Sequence, residues 1–396
     1  MNSSFLKNLN FPKVKSSQEL LKPLFFLYKC HGMFPYKIRK DQITISKFNL
    51  AYSLLISIGS IILYIIIMYQ CHVSNGIEFD TVEGLLQFDS YFALATFILI
   101  ATSCKSKSML TFLKKFLEVS SMLNENDLKQ LAIIIYLKDA VGFFFLIGQV
   151  PNTYSKIPAQ MLGKIYGELI TLIVFLSNSQ YSNYILILKR CFSRINNDLE
   201  SIVYSNNYGH LDPIKSVMKP LQVKHLQLIK LRIIQQKHHK VCTVMRLLNS
   251  VFALPVIATV IMTFAETTFG LYFFLLLNQG KKSIDLEKQI WYNYFLTSVT
   301  YHFLKLTILI WICQETKNEA SKTGIIVHNI ILRTDNEELR AELNMFSLHL
   351  LQSPNEFSSK CIKMDAQLIT AVVSGITTYL LILMQFLKMK VEPRAS

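Results

Sequence analysis

An all-α membrane protein with seven transmembrane helices is predicted by three features of this 396-residue chain. It is 51% hydrophobic and only 17% charged, against roughly 25% charged in soluble domains. A globule of that composition lacks the polar surface to face water. It contains seven long runs that are almost free of charge, and its net charge of +15 is shared unevenly among the segments between them. Such hydrophobicity also excludes a disordered chain.

A bilayer core of about 30 Å takes about 20 apolar residues as a helix. Runs 48–70 and 366–387 carry no charge. Run 85–104 carries only Asp89, run 291–313 only Lys305, and run 247–280 only Glu266. Run 163–188 carries Lys164 and Glu168. Run 131–150 is the poorest span, because Lys138 and Asp139 sit adjacent in its middle, pointing apart and each needing its own partner. Run 247–280 exceeds one crossing and is expected to project beyond the bilayer as continuous helix. The first 47 residues lack the pattern of a cleavable signal peptide, so 48–70 is expected to be the first inserted segment. No internal repeat divides the chain.

Charge sets the expected orientation. The segments on one side of the membrane hold 31 Lys and Arg and those on the other hold 8. The positive-inside rule then places the N-terminus in the cytoplasm and the C-terminus outside, in a multi-pass protein of the plasma membrane. This is the reverse of a G-protein-coupled receptor. The basic excess is an orientation signal and calls for no nucleic acid. The chain thus divides into a cytoplasmic N-terminal segment (1–47), helices one to four (48–188), a cytoplasmic helical linker (189–246), and helices five and six (247–313). Cytoplasmic amphipathic helices (314–363), a last helix (364–387) and an extracellular tail (388–396) follow.

Residues 190–205 and 214–248 have helical texture, the latter with Leu221, His225, Leu228, Ile229, Arg232 and Ile233 at three- and four-residue steps. Residues 337–351 place Leu339, Leu343, Phe346, Leu350 and Leu351 on one face, opened by Asp335 or Asn336 as cap. These are either solvated amphipathic helices or packing surfaces between subunits.

The last run reads Thr378-Tyr379, five hydrophobic residues, then Gln385-Phe386. This ending resembles the C-terminal signature of insect gustatory receptors. The stretches from Pro23 to Tyr28 and from Gly32 to Tyr36, and the helix leading into the last span, are also similar to that family, whereas Ser359 to Lys363 departs from it. The resemblance covers the whole chain in length, span count and orientation. It implies a chemosensory receptor, related to insect odorant receptors, that assembles as a tetramer and opens a cation channel when a tastant binds. The tastant would be a small molecule, a sugar or a bitter compound. The assembly would be a homotetramer or a heteromer with other gustatory receptors, surrounded by membrane lipids and passing cations. In that family the last helix of each subunit lines the pore, and the signature Gln and Phe form a gate, here Gln385 and Phe386.

The chemistry of the last run fits that role. Residues seven apart share a helix face, so Ser374, Thr378, Ile382 and Gln385 form one stripe, extended by Ala371. Hydroxyl and amide groups suit a wetted passage, and Phe386 with Ile382 suits a dewetting constriction. The competing explanation is that small residues pack helix on helix. Charged residues inside spans are functional candidates by default. Asp89, Glu168 and Glu266, with Tyr91, Tyr166, Tyr272 and Tyr294, are the candidate ligand-binding residues, and Phe143 to Phe145 are expected to line the same outward pocket. Aromatic faces with a few carboxylates suit sugars, and alkaloid cations through cation–π contact.

An odorant receptor subunit that needs a co-receptor is the alternative, and a transporter is disfavoured by the lack of repeats. No enzymatic activity is expected. His238 and His239 are adjacent, unlike a metal-ligand pair, no catalytic motif stands out, and neither a metal nor another cofactor is implied.

Overall fold

The computed structural model describes residues 14–39, 42–74, 77, 82–156, 161–207, 220–278, 288–352, 357–359 and 362–391. The chain opens with α1 (Ser17–Cys30), where the Ser16 hydroxyl accepts the Glu19 amide at 3.2 Å, satisfying one of the orphan donors of the first turn. Gly32 ends it at φ +72°, a conformation costly for any residue with a Cβ. Strands β1 (Tyr36–Arg39) and β2 (Gln42–Ile45) form a hairpin that runs into α2 (Lys47–His72) through the Ser46 cap. Both strands alternate polar and apolar residues, a local signal inside the segment expected only as a cytoplasmic N-terminus.

Next come α3 (Val82–Cys104), α4 (Ser106–Ser120) and α5 (Glu125–Lys156). The stretch after the second span is therefore mostly helix, with Phe112, Leu113 and Phe116 of α4 fully buried and its lysines outward. Asn124 and Asp127 cap α5 reciprocally. Three long helices follow: α6 (Met161–Asn207), α7 (Pro220–Asn278) and α8 (Lys288–Arg333). At 1.5 Å per residue, the 59 residues of α7 extend about 88 Å, nearly three bilayer cores. Pro220 opens α7, where its missing N–H costs nothing. Last are α9 (Glu337–Gln352), the short pair β3 (Ser358–Ser359) and β4 (Ile362–Lys363), and α10 (Ala366–Val391). Asp365 caps α10, accepting the amides of Gln367 and Leu368 at 3.1 and 3.3 Å.

The bundle comprises α2, α3, α5, α6, α7, α8 and α10, with α6 packed against α3, α5, α7 and α8. Among the described residues, five helical stretches are long and apolar enough to span a bilayer: Lys47–His72, Val82–Cys104, Glu125–Val150, Lys224–Leu276 and Ala366–Phe386. The spans expected at 163–188 and 291–313 fall inside α6 and α8, whose described residues alone hold no such stretch. For α6 the reason is position: Ser177, Asn178, Ser179, Gln180, Ser182 and Asn183 are all buried against protein. A helix enclosed by other helices is relieved of the apolar surface that lipid demands.

That polar run also explains the charges in α5. Asp139 accepts from Ser179 Oγ and Asn183 Nδ2, both at 2.8 Å. Lys138 and Asp139 do not point apart as expected; the ammonium curls onto the neighbouring carboxylate. The flexible four-carbon lysine stem lets the ammonium reach back to its neighbour.

Beyond the bundle, the extensions of α6, α7 and α8 join α9 in a second layer. Asn196 of α6 donates to the Glu319 carbonyl at 2.9 Å and accepts from Thr323 at 2.7 Å, tying α6 to α8. Lys189 pairs with Glu315 at 3.0 Å, and Arg232 with Glu342 at 3.4 Å. Of the five α9 residues expected on one face, Leu339, Leu343 and Phe346 are buried within this chain, while Leu351 is exposed. At the centre, His238 is 4% exposed, its ring 5.6 Å from both Phe192 and Phe346. Burial, then the neighbouring His239 charge, pushes its pKa down to about 4 from 6.5.

His238 is neutral when folded. The unfolded chain takes up this proton first as pH falls, so its contribution is complete above about pH 6.5 and is lost as pH drops toward 4. That range corresponds to about 3 kcal/mol. His238→Phe keeps an aromatic ring in place and should flatten this part of the stability profile, measured by thermal unfolding in detergent between pH 4 and 7.

Candidate ligand pocket and last helix

α10 rests against the bundle on one side only. Val372 and Ile376 are buried, and Leu380, Leu383 and Met384 pack on Tyr272, Phe273 and Leu276 of α7. Gly375 lets the Phe264 ring approach, since a Cβ there would lie 3.0 Å from it. Phe264 also meets Tyr379 edge-on at 5.6 Å, which fixes the signature tyrosine to α7. The opposite face carries Ala371, Ser374, Thr378, Ile382 and Gln385, all exposed, together with Phe386. Gln367 prolongs the stripe toward the start of the helix. Thr378 donates its hydroxyl to the Ser374 carbonyl at 3.0 Å, leaving the oxygen lone pairs outward. Only 11% of the spanning part of α10 is buried, the least of the five apolar helices.

The candidate pocket residues come together on α3, α6 and α7, but several are already committed to protein partners. Tyr166 is fully buried, donating to the Ser60 carbonyl at 2.9 Å and meeting the Thr96 hydroxyl at 3.0 Å. Tyr272 donates to Glu83 at 3.3 Å. Glu266 accepts from Gln87 at 2.7 Å and lies within electrostatic reach of Lys305. Tyr91 shares a hydrogen bond with Thr171. These four fasten α2, α3, α6, α7 and α8 to one another. The Lys305 stem does not escape to the surface; it lies over Tyr301, 5.2 Å from the ring, beside His302.

Two carboxylates differ. Asp89 reaches His72 at 3.0 Å with one oxygen, while the other oxygen is buried without a hydrogen bond. One oxygen of Glu168 is likewise buried and unbonded. These are the candidates whose capacity is unused. Thr263 and Thr267 add two more such oxygens from α7; they continue Thr259, which donates to Asn178 at 3.1 Å. That i, i+4, i+8 threonine series is visible in the sequence, but hydroxyls in spans so often bond their own backbone that it carries no signal by itself. The partners Glu83, Gln87 and His72 gave no periodic signal. The Tyr294 side chain lies outside the described residues. Phe143 and Phe144 point away from the bundle, 47% and 71% exposed, and do not line a pocket within this chain. The cause is Gly142, whose Cα abuts the Phe175 ring, where a Cβ would come within 2.5 Å; the close α5–α6 face leaves the next residues on the outer side.

A family model described as 7tm Chemosensory receptor matches residues 21–390. The chain is 29% identical over 161 residues to the gustatory receptor for bitter taste 66a of Drosophila melanogaster, covering 40% of this chain and 30% of that receptor. It spans less than half the length of the curated relatives it matches. Its fold is similar to the insect olfactory receptor OR5 from Machilis hrabei, with a TM-score of 0.69, 12% identity, and coverage of 93% of this chain and 98% of that one. The same receptor in complex with eugenol matches with a TM-score of 0.67 at 12% identity, over the same shares of the two chains.

Asp139→Ala should lower stability by about 3–5 kcal/mol, because Lys138, Ser179 and Asn183 would be stranded in a low-dielectric interior. The double variant K138M/D139L should recover the part of that loss that comes from the unpaired ammonium, with Ser179 and Asn183 still lacking their acceptor. Thermal unfolding of the purified variants in detergent distinguishes this from simple truncation, for which the double variant would be the worse of the two.

Proposed function

Because this chain belongs to the 7tm chemosensory receptor family, we propose that it is a gustatory receptor acting as a tastant-gated, non-selective cation channel. Four copies surround a pore lined by α10, with the N-terminus in the cytoplasm of a cell whose plasma membrane they span. The observation that carries this reading is the uncovered face of α10. In its polar stripe the Thr378 hydroxyl bonds the Ser374 carbonyl, but the amides of Gln367 and Gln385 facing hydrocarbon would be left unsatisfied, at several kcal/mol each. Four such stripes turned toward one another enclose water instead. Gln385 then forms a polar ring, with Phe386 and Ile382 as the constriction. Without charge on the stripe, selection among cations falls to diameter and dipoles. The Lys and Arg asymmetry supports the orientation, and the less basic outer side favours cation entry.

Ligand binding falls to the outer half of α3, α6 and α7, where Asp89 and Glu168 keep an unbonded oxygen each. Tyr91, Tyr166, Glu266 and Tyr272 shape its walls, and Tyr294 of α8 is kept as a further contact. An odorant receptor subunit that conducts only beside a co-receptor is the second reading, favoured by the likeness of fold to an olfactory receptor. The likeness in sequence to a bitter-taste receptor supports the gustatory one.

Cells expressing this chain alone should show calcium entry when the right member of a panel of sugars and alkaloids is applied, and Gln385→Ala should change conductance or resting leak. Current that persists unaltered with every stripe residue replaced would remove α10 from the pore. Response only with a co-receptor would favour the odorant reading. Glu168→Gln should shift the effective tastant concentration and leave single-channel conductance unchanged.

A further inference from the structure

We propose that the groove between β2 and α4 binds the phosphorylated headgroup of an inositol lipid. The groove has a volume of about 380 Å³ and is lined by Gln42, Ile43, Thr44, Lys114 and Leu117, the lower end of the range for small-ligand sites. The hairpin register sets Lys37 opposite Thr44 and Arg39 opposite Gln42. Alternation along the strands puts those four on one face, and all four are exposed, while Tyr36 and Ile43 on the other face are buried. Tyr36 fixes the hairpin to α4, donating its hydroxyl to the Ser106 carbonyl at 2.7 Å. From α4, Lys107, Thr111 and Lys114 line one exposed face at helical spacing, with Lys115 beside them.

Lys114 thus lines the cleft itself, and Lys37, Arg39, Lys107 and Lys115 lie exposed on the two elements that form it. Among the described residues none of Lys37, Arg39, Lys107, Lys114 and Lys115 has a carboxylate within ion-pair distance. Glu118, the acid on α4, is taken by Lys240 at 2.7 Å. Elsewhere outside the bundle, Lys189, Arg190 and Lys237 each hold a carboxylate. Several cations that no described carboxylate pairs, with an amide from Gln42 and a hydroxyl from Thr44, match a ligand carrying clustered phosphates, whereas a singly charged headgroup would leave most of them idle.

Position favours a lipid over a soluble phosphate. β2 passes through Ser46 directly into the first span, and α3 ends at Cys104, two residues before α4 begins. The groove therefore lies where two spans meet the headgroup layer. By the charge asymmetry that end faces the cytoplasm, whose leaflet carries the anionic lipids. The inference adds a lipid site to the proposed receptor and does not depend on whether the chain conducts.

The test uses the full chain in phosphatidylcholine nanodiscs, titrated with fluorescent phosphatidylinositol 4,5-bisphosphate. Nanodiscs expose both faces, so a wrong orientation cannot mimic failure of the site. Removing a basic residue should weaken binding about fivefold, and Lys37→Gln with Lys114→Gln about 25-fold. Lys224→Gln with Lys230→Gln, on the exposed start of α7, should stay within about twofold of wild type. Unchanged binding by the groove variant, or equal weakening by the α7 variant, would overturn the site. Free inositol trisphosphate competing as tightly as the lipid would overturn the lipid source. If the double variant does not fold, Lys114→Arg retaining affinity that Lys114→Gln loses supports the site, and equal affinity of the two refutes it.

Discussion

Hydrocarbon offers no hydrogen bonds, and the arrangement of this chain follows from where it must satisfy polar groups without water. The clearest instance is the pairing of α5 with α6. Each looks unsuitable for a membrane alone: α5 carries adjacent opposite charges, and α6 carries a run of serine, asparagine and glutamine. Packed together, Asp139 receives Ser179 and Asn183, and Lys138 turns onto Asp139. The polar run then becomes the device that orients α6 at the centre of the bundle, where α3, α5, α7 and α8 enclose it.

α10 poses the same problem with the opposite outcome. Its apolar side is satisfied by α7, but its hydroxyls and amides face away from every helix of its own chain. Under the proposed function, association that brings four such faces around water satisfies them. The long extensions of α6, α7 and α8 would then offer surface for that association. Leu226, Ile229 and Ile233 of α7 and Met345, Leu348 and Leu351 of α9 remain exposed there. The interior of this layer is fastened by aromatic contacts around His238 and by ion pairs, which water makes affordable in a way lipid does not.

Within the candidate pocket, the same constraint separates groups already bonded to protein from those with spare bonding capacity. Tyr166, Tyr272 and Glu266 have partners on neighbouring helices, so they hold the walls in place. Asp89 and Glu168 keep buried oxygens without partners, an expense that a fold retains where a ligand or water completes the bonding.

Sequence alone determined the spans, the charge asymmetry and the α10 stripe, and the family resemblance at the chain's ends is matched by the family's coverage of residues 21–390. These were legible because hydrophobic run length, net charge and helical period are local quantities. What only the tertiary structure decided were relations between distant residues. Whether Lys138 and Asp139 part or pair, which pocket tyrosines are occupied, and which way Phe143 and Phe144 face depend on neighbours more than a hundred positions away in some cases. The β1–β2 hairpin and α4 carry local patterns, alternation in Tyr36–Arg39 and Gln42–Ile45 and apolar residues at Met109, Phe112, Leu113 and Phe116, but segments so short and basic take their final form from the core they cover.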